Sequence, residues 1–260
     1  MLYNNLGMLV VIFFISFLLI PSVAEAWGPL THVYLANEVI NMGMSVIPAG
    51  VYSILKRYKK DFLYGNLCAD MIFARRFQPD EKNTHNWGLA WRLFEAAKTK
   101  RQKAFAYGYL SHLSADTVVH NLEKSFLPFK HTLLEVKSES LIDKKYRKLL
   151  KTIDRPLQKR HDGFLEDYLE SVFFSFRTNR KLFKSFLKLS GFPNYSPVSN
   201  FIDKRFPYEI PVQDIYGFQE ESVKRMSELL KNGKQSQVLK KDPAKRLNKR
   251  ASRFLRQYVS

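Results

Sequence analysis

His112, Asp116 and His120 stand four residues apart inside a stretch, Arg101 to Leu122, whose apolar residues recur at helical period. Each step of four advances about 40° around a helix axis, so the three side chains share one face over two turns. Leu113, Ala115, Val118 and Val119 between them are free to pack elsewhere. A carboxylate between two imidazoles can bridge two metal ions, one on each oxygen. A polar helix face without a ligand is the plainer alternative, and the triple spacing favours metal.

The composition holds six histidines, and five lie between His32 and His131. Each of the five has a carboxylate or another histidine at usable spacing. His131-x3-Glu135 repeats the one-turn logic after Pro128 and could fold back as a neighbour that completes a further site. Asp70 follows Gly65-Asn66-Leu67-Cys68-Ala69, where a helix should end. His85 opens the next helix within Thr84-His85-Asn86-Trp87, and His32 follows closely on Trp27. Singly, His32, Asp70 and His85 read as structural. Together they supply enough donors for more than one ion, and zinc suits this donor set. The sixth histidine, His161 beside Asp162, reads as exposed and uninvolved.

The rest of the chain is helical nearly throughout. The period predicts helices over 32–44, 51–67, 89–97, 101–122, 141–153, 164–174, 180–189 and 215–230. Breaks fall at Pro48, at 78–86, at Pro128 and across the proline-bearing stretch 191–211. No β-branched alternation is long enough for a sheet, so the expected fold is all-α, a single multi-helix domain. Phe173, Phe174, Phe176 and Phe183 recur near helical spacing and read as core. The 191–211 stretch is a candidate cover for the site.

Residues 6–20 are uncharged and apolar, followed by Pro21 and Ala24-Glu25-Ala26. This describes a secretory signal cleaved before Trp27, although no Lys or Arg precedes the apolar run. An uncleaved anchor is the rival, but fifteen helical residues span about 22 Å, short of a ~30 Å hydrocarbon core. Cleavage would free the Trp27 α-amine, whose ordinary pKa of about 7.7–8.0 leaves its lone pair accessible to a metal. The expected location is therefore exported, periplasmic or secreted, with membrane association left open. Cys68 is the single cysteine, so no intrachain disulfide forms; it reads as a small buried apolar residue.

Residues 224–260 carry twelve Lys or Arg against Glu228 and Asp242, more than half of the chain's net +18. The expected organisation is a leader over 1–26, a helical domain over 27–223 and a basic tail over 224–260. The tail reads first as a solvated basic helix or frayed end, and second as a contact for anionic phosphates on a membrane surface or nucleic acid.

The ordered set WGPLTH at 27–32, GNLCAD at 65–70, THNW at 84–87, HLSADTVVH at 112–120 and His131-x3-Glu135 resembles the zinc-dependent phospholipase C family. That family is related in fold to fungal single-strand-specific nucleases. The resemblance covers about residues 27–135 and implies an all-α fold with three zinc ions. The Trp27 amine and carbonyl, His32 and Asp116 would hold one ion. Asp70, His85, His112 and Asp116 would hold a second, and His120, His131 and Glu135 a third. The three residues between Asp116 and His120 are fewer than in bacterial phospholipases, and closer to the glycosylphosphatidylinositol-specific phospholipase D relatives. Leu30 and Met71 stand where choline-gripping acidic and aromatic residues would be sought, so no choline preference is implied.

The expected activity is hydrolysis of a phospholipid or related phosphodiester by a zinc-bound hydroxide, with Asp70 as the catalytic residue that orients the nucleophile or takes its proton. A zinc nuclease of the same fold is the second expectation, weakened because the nuclease relatives typically end the last site with His-x3-Asp rather than His-x3-Glu. A catalytically inactive, zinc-stabilised module that docks on an anionic membrane is the third. Headgroup and oligomeric state are not legible in the chain.

Overall fold

The computed structural model describes residues 27–72, 83–121, 128–169, 174–190 and 211–244. The leader, the 191–210 stretch and the distal tail therefore lie outside the described residues. Among those described, ten α-helices and no strands are found: α1 Pro29–Met42, α2 Ala49–Arg57, α3 Lys59–Cys68, α4 Trp87–Ala96, α5 Lys100–Asn121, α6 Pro128–Leu141, α7 Lys144–Lys151, α8 Arg155–Glu166, α9 Phe176–Ser190 and α10 Val212–Asn232. The all-α expectation holds. None of these helices is long and apolar enough to cross a membrane.

α5 is the axis of the fold, and α1, α2, α3, α4 and α10 pack against it. Every residue from Gly108 to Val119 is buried. A helix with this much buried surface has no solvent face to give its polar side chains, so His112 and Asp116 must find partners inside. The tightest packing is with α3. A Cβ added at Gly65 would lie 1.9 Å from the Phe105 carbonyl oxygen, and one at Gly108 would lie 2.0 Å from that of Phe62. Backbone touches backbone on both sides of the crossing, which only glycine permits. The crossing places the C-terminal end of α3, and Asp70 just beyond it, beside His112.

Local chemistry sets the ends of the helices. Gly28 and Pro29 start α1, and Gly43 ends it at φ 70°. The Asn86 side chain caps α4 by accepting from Gly88 N and Leu89 N, and Asp143 and Asp154 cap α7 and α8 in the same way. The helix expected over 51–67 is two helices, broken at Tyr58. The one expected over 141–153 ends at Leu141 and restarts after the Asp143 cap. The helix expected over 164–174 is displaced: α8 ends at Glu166, because the Asp154 cap and Pro156 start it nine residues earlier.

The basic tail needs a larger correction. A boundary between 223 and 224 falls inside α10, where Met226, Leu229 and Leu230 are buried. Val238, in the following 3-10 turn, is buried too. A count of charges cannot see this apolar stripe. Phe183 is core, but Phe174 is 45% exposed, ahead of α9 rather than within a helix.

His161 is the clearest misreading. It is fully buried, stacked on Phe105 at 4.4 Å, with Nε2 2.7 Å from Asp61 Oδ1. Beside it the buried Asp162 accepts from Tyr64 OH at 2.6 Å and from Lys184 Nζ at 2.8 Å. The buried carboxylates of α3 and α8 are thus neutralised by partly exposed cations on α8 and α9. Partners a hundred residues away carry no local signature.

Candidate metal centre

The segment Trp27–His32 reaches the centre because α6 and α10 hold it. Trp27 is buried and its indole Nε1 donates to Ser222 Oγ at 3.1 Å. Thr31 N donates to Glu139 Oε1 at 2.6 Å, and Thr31 Oγ1 lies 3.0 Å from Ser138 Oγ. Gly28 is pressed on Glu139: an added Cβ would stand 2.6 Å from Glu139 Cδ. The first turn of α1 therefore rests on a buried carboxylate, where the positive end of a helix dipole favours one. Burial nevertheless pushes the Glu139 carboxyl up to about 7, against the pull of the Thr31 and Leu30 hydrogen bonds. Glu139 was not anticipated. It continues the one-turn series His131-x3-Glu135, and that extension was the available signal.

His32, held in this way, stacks on His112 with ring centroids 3.9 Å apart. His85 meets His112 edge-on at 4.8 Å. His85 lies in the turn before α4, where its own N–H donates to Asn83 Oδ1 and Tyr109 OH donates to the Thr84 carbonyl. His112 Nδ1 donates to the carbonyl of Asn66 at 2.6 Å. That bond sets the tautomer and aims Nε2 at the centre, an arrangement typical of metal-binding histidines.

Asp116 stands in the middle with its two oxygens divided. Oδ2 lies 2.8 Å from His85 Nε2 and 3.1 Å from His112 Nε2, while Oδ1 lies 3.3 Å from His32 Nε2. Asp70 Oδ1 is 3.5 Å from both His85 Nε2 and His112 Nε2. Its side chain, 24% exposed, is the part of the cluster open to solvent. One donor atom from each of Asp70, His85, His112 and Asp116 falls within 4.8 Å of the others.

This geometry fits zinc. Two donors on one tetrahedral zinc stand about 3.3 Å apart, given bonds of 2.0–2.1 Å. The imidazole–carboxylate distances found here run from 2.8 to 3.5 Å, and all four donors fall within 4.8 Å. Among the described residues, both ring nitrogens of His32 and Asp116 Oδ1 are buried without a well-formed hydrogen bond, their one close approach being the 3.3 Å contact between His32 Nε2 and Asp116 Oδ1. Bare donors of this kind are costly in a protein interior unless a cation takes their lone pairs. Electrostatics agree. Burial and the neighbouring His112 hold His32 below the usual histidine range. Burial also opposes charge on His112, but Asp116 and Asp70 outweigh it and lift the imidazole to about 10. Burial works against ionised Asp116 as well, yet His112 and His32 keep its carboxyl well below the usual range.

Five expected ligands thus converge: His32, Asp70, His85, His112 and Asp116. In this chain the Trp27 nitrogen is a peptide nitrogen. Glu135 is buried on α6. The side chains of His120 and His131 lie outside the described residues, and so does the expected third site. Cys68 is buried and takes no part in the four-residue cluster; burial pushes its thiol well up. Leu30 and Met71 are both fully buried.

An all-α fold wrapped around a buried histidine–carboxylate cluster is that of a metal-binding helical protein. The family model for zinc dependent phospholipase C matches residues 31–182, and the chain belongs to that family. No curated protein and no solved structure matches the chain.

Proposed function

We propose that the chain is an exported zinc-dependent phosphodiesterase of the phospholipase C type, acting on phospholipids or related phosphodiesters. The observation that carries this reading is Asp116, one buried carboxylate with His32 at one oxygen and His85 and His112 at the other. A purely structural zinc site is closed by its own ligands. Here a carboxylate whose two oxygens face different histidines and a partly exposed Asp70 favour a catalytic centre.

In this reading Asp70, His85, His112 and Asp116 would hold one zinc ion. His32 and Asp116, joined by the Trp27 amine once the leader is removed, would hold another. His120, His131 and Glu135 would hold the third. Bound zinc supplies Lewis acidity toward phosphoryl oxygens and lowers the pKa of water toward 7. Asp70, at the open edge, would orient the attacking water, take its proton at a carboxylate oxygen and return it to the alcohol released as the phosphorus–oxygen bond to the leaving group breaks. Asn66 fixes the His112 ring, and the buried walls of α5 exclude bulk water from the far side. Release of the leader before Trp27 follows from the Ala24-Glu25-Ala26 pattern.

The net charge of +18 supports a nuclease as the second reading. Mature protein beginning at Trp27 should be incubated with mixed phospholipid vesicles and, separately, with single-stranded DNA, each with and without chelator. Zinc-dependent release of phosphorylated headgroups supports the lipase reading. Cleavage of DNA alone would replace it with the nuclease. Tight zinc binding with neither activity would leave a zinc-stabilised membrane module.

A further inference from the structure

We propose that the face of α1 turned away from the metal centre carries a second binding site, for a small alkylated ammonium ion. At 100° per residue, Tyr34, Glu38 and Asn41 fall about 200°, 240° and 180° around α1 from His32. They line an open groove of about 550 Å³ between α1 and α10, which Tyr216 and Gln219 also line. A recess of about 360 Å³ that shares Tyr34, Glu38, Asn41, Tyr216 and Gln219 with it adds Tyr146, Asp143 and the cation Lys145. These volumes fall in the range of small-molecule sites.

Glu38 gives the groove its charge. Tyr146 OH donates to its Oε1 at 2.6 Å, Asn41 Nδ2 at 3.1 Å and Asn37 Nδ2 at 3.3 Å. All three bonds fall on one oxygen, which fixes the carboxylate and leaves Oε2 to a ligand. Among the described residues no Lys, Arg or His forms an ion pair with Glu38, although the chain holds 42 Lys and Arg against 24 Asp and Glu. Glu220, by contrast, is paired with Lys224 at 2.8 Å.

The walls are aromatic. Tyr34 and Tyr146 meet edge to face, with centroids 5.2 Å apart and planes at 84°, and Tyr216 is 53% exposed at the mouth. Burial and Glu38 raise the Tyr34 and Tyr146 phenols, so both stay neutral. Lys145 Nζ already lies 5.0 Å from the Tyr146 centroid, so this ring takes a cation. Tyrosine faces around one carboxylate attract a weakly hydrated cation through the ring quadrupoles. Calcium or magnesium would need six or more oxygen ligands and finds too few here. Met42 and Val223 supply apolar contact for methyl groups. The site shares no residue with the metal centre and does not depend on the hydrolase reading.

Tetramethylammonium chloride is the probe, titrated into the full mature protein in the presence of chelator and followed by the chemical shifts of the tyrosine rings. Saturable binding is expected, with neopentyl alcohol, a neutral solute of similar shape, binding at least tenfold more weakly. Glu38→Gln should weaken the ammonium at least tenfold while its amide oxygen still accepts the Tyr146 and Asn hydrogen bonds. Tyr216→Ala removes an exposed ring and should weaken it severalfold with the thermal midpoint unchanged. Lys145→Ala should tighten it. Displacement of the probe by vesicles bearing trimethylammonium headgroups, and not by vesicles of anionic glycerol headgroups, would assign the natural source to lipid. Retention in both would assign a free solute. Failure to bind, equal binding of the alcohol, or wild-type binding by both Glu38→Gln and Tyr216→Ala overturns the proposal.

Discussion

The carbonyl of Asn66, at the end of α3, accepts the Nδ1 proton of His112, in the middle of α5, at 2.6 Å. The bond joins the two helices at the point where the metal centre begins. It exists because α3 and α5 cross at backbone distance, so the chemistry of the centre depends on two glycines that take no direct part in it.

Those glycines give the first prediction. Gly65→Ala and Gly108→Ala each place a methyl about 2 Å from a carbonyl oxygen of the partner helix. Each should cost more than the ~1–3 kcal/mol of ordinary overpacking, because backbone rather than a flexible side chain must move. Gly217→Ala, inside α10 with nothing within 4 Å, should instead gain about 0.5–1 kcal/mol. Denaturant unfolding of the three variants checks the contrast.

Asp116→Asn removes the charge shared by three imidazoles. Mass spectrometry should show loss of bound zinc. Turnover should fall by far more than the 10–100-fold typical when only a supporting residue of a metal ligand is changed. Wild-type turnover in a zinc-free Asp116→Asn protein is the outcome that excludes a metal-dependent reaction.

Zinc uptake should release protons. His112 keeps its proton up to about pH 10 in the metal-free centre, and zinc must displace it. Between pH 6 and 8 the apparent affinity should therefore rise with pH, about tenfold per unit for each proton displaced. Calorimetry in buffers of different ionisation enthalpy counts the protons directly. A pH-independent affinity contradicts the charge state assigned to the cluster.

Glu139 gives a pH dependence of opposite sign. Its carboxyl is raised from an ordinary 4.5 to about 7. The folded state therefore holds the proton more tightly than the unfolded chain does. Stability from this group is complete below about 4.5, declines as pH rises toward 7, and is flat beyond. The decline is on the order of 3 kcal/mol. Glu139→Gln cannot ionise and should lack it. The difference between wild-type and variant unfolding free energies, followed from pH 4.5 to 8 with chelator present, isolates the effect.

Asp61→Asn tests the second buried network. The amide oxygen can still accept from His161 Nε2, but the carboxylate shared with Arg160 is lost, at a cost of about 1.5–3 kcal/mol for a charge-assisted hydrogen bond. Zinc stoichiometry should be unchanged, because among the described residues none of the network's ion pairs reaches the metal centre. Loss of zinc from a folded Asp61→Asn protein would show that the two networks are coupled.

The legible part of the site was the part encoded at short range. His112 and Asp116 announce themselves by a one-turn spacing, and the helical period around them gives the all-α fold. Asp70, His85 and His32 are legible as a set, because metal donors in order along a chain have few other uses. The Gly65–Gly108 crossing was not legible, because each glycine alone reads as a turn or a flexible point. Asp61 and His161 are a hundred residues apart, and each has an ordinary surface reading until the fold is known. The boundary inside α10 was misplaced because charge dominates composition there, while three apolar residues at helical spacing decide burial.

Asp116 serves His32 through one oxygen and the pair His85 and His112 through the other. A lineage that drifted away from the proposed chemistry could not give up the contact with His32 and the contact with His85 and His112 one after the other by changing that position. It would forfeit both in a single event. Gradual decay has to start at the margins, with His32 or the solvent-facing Asp70, where a half-equipped descendant can still exist.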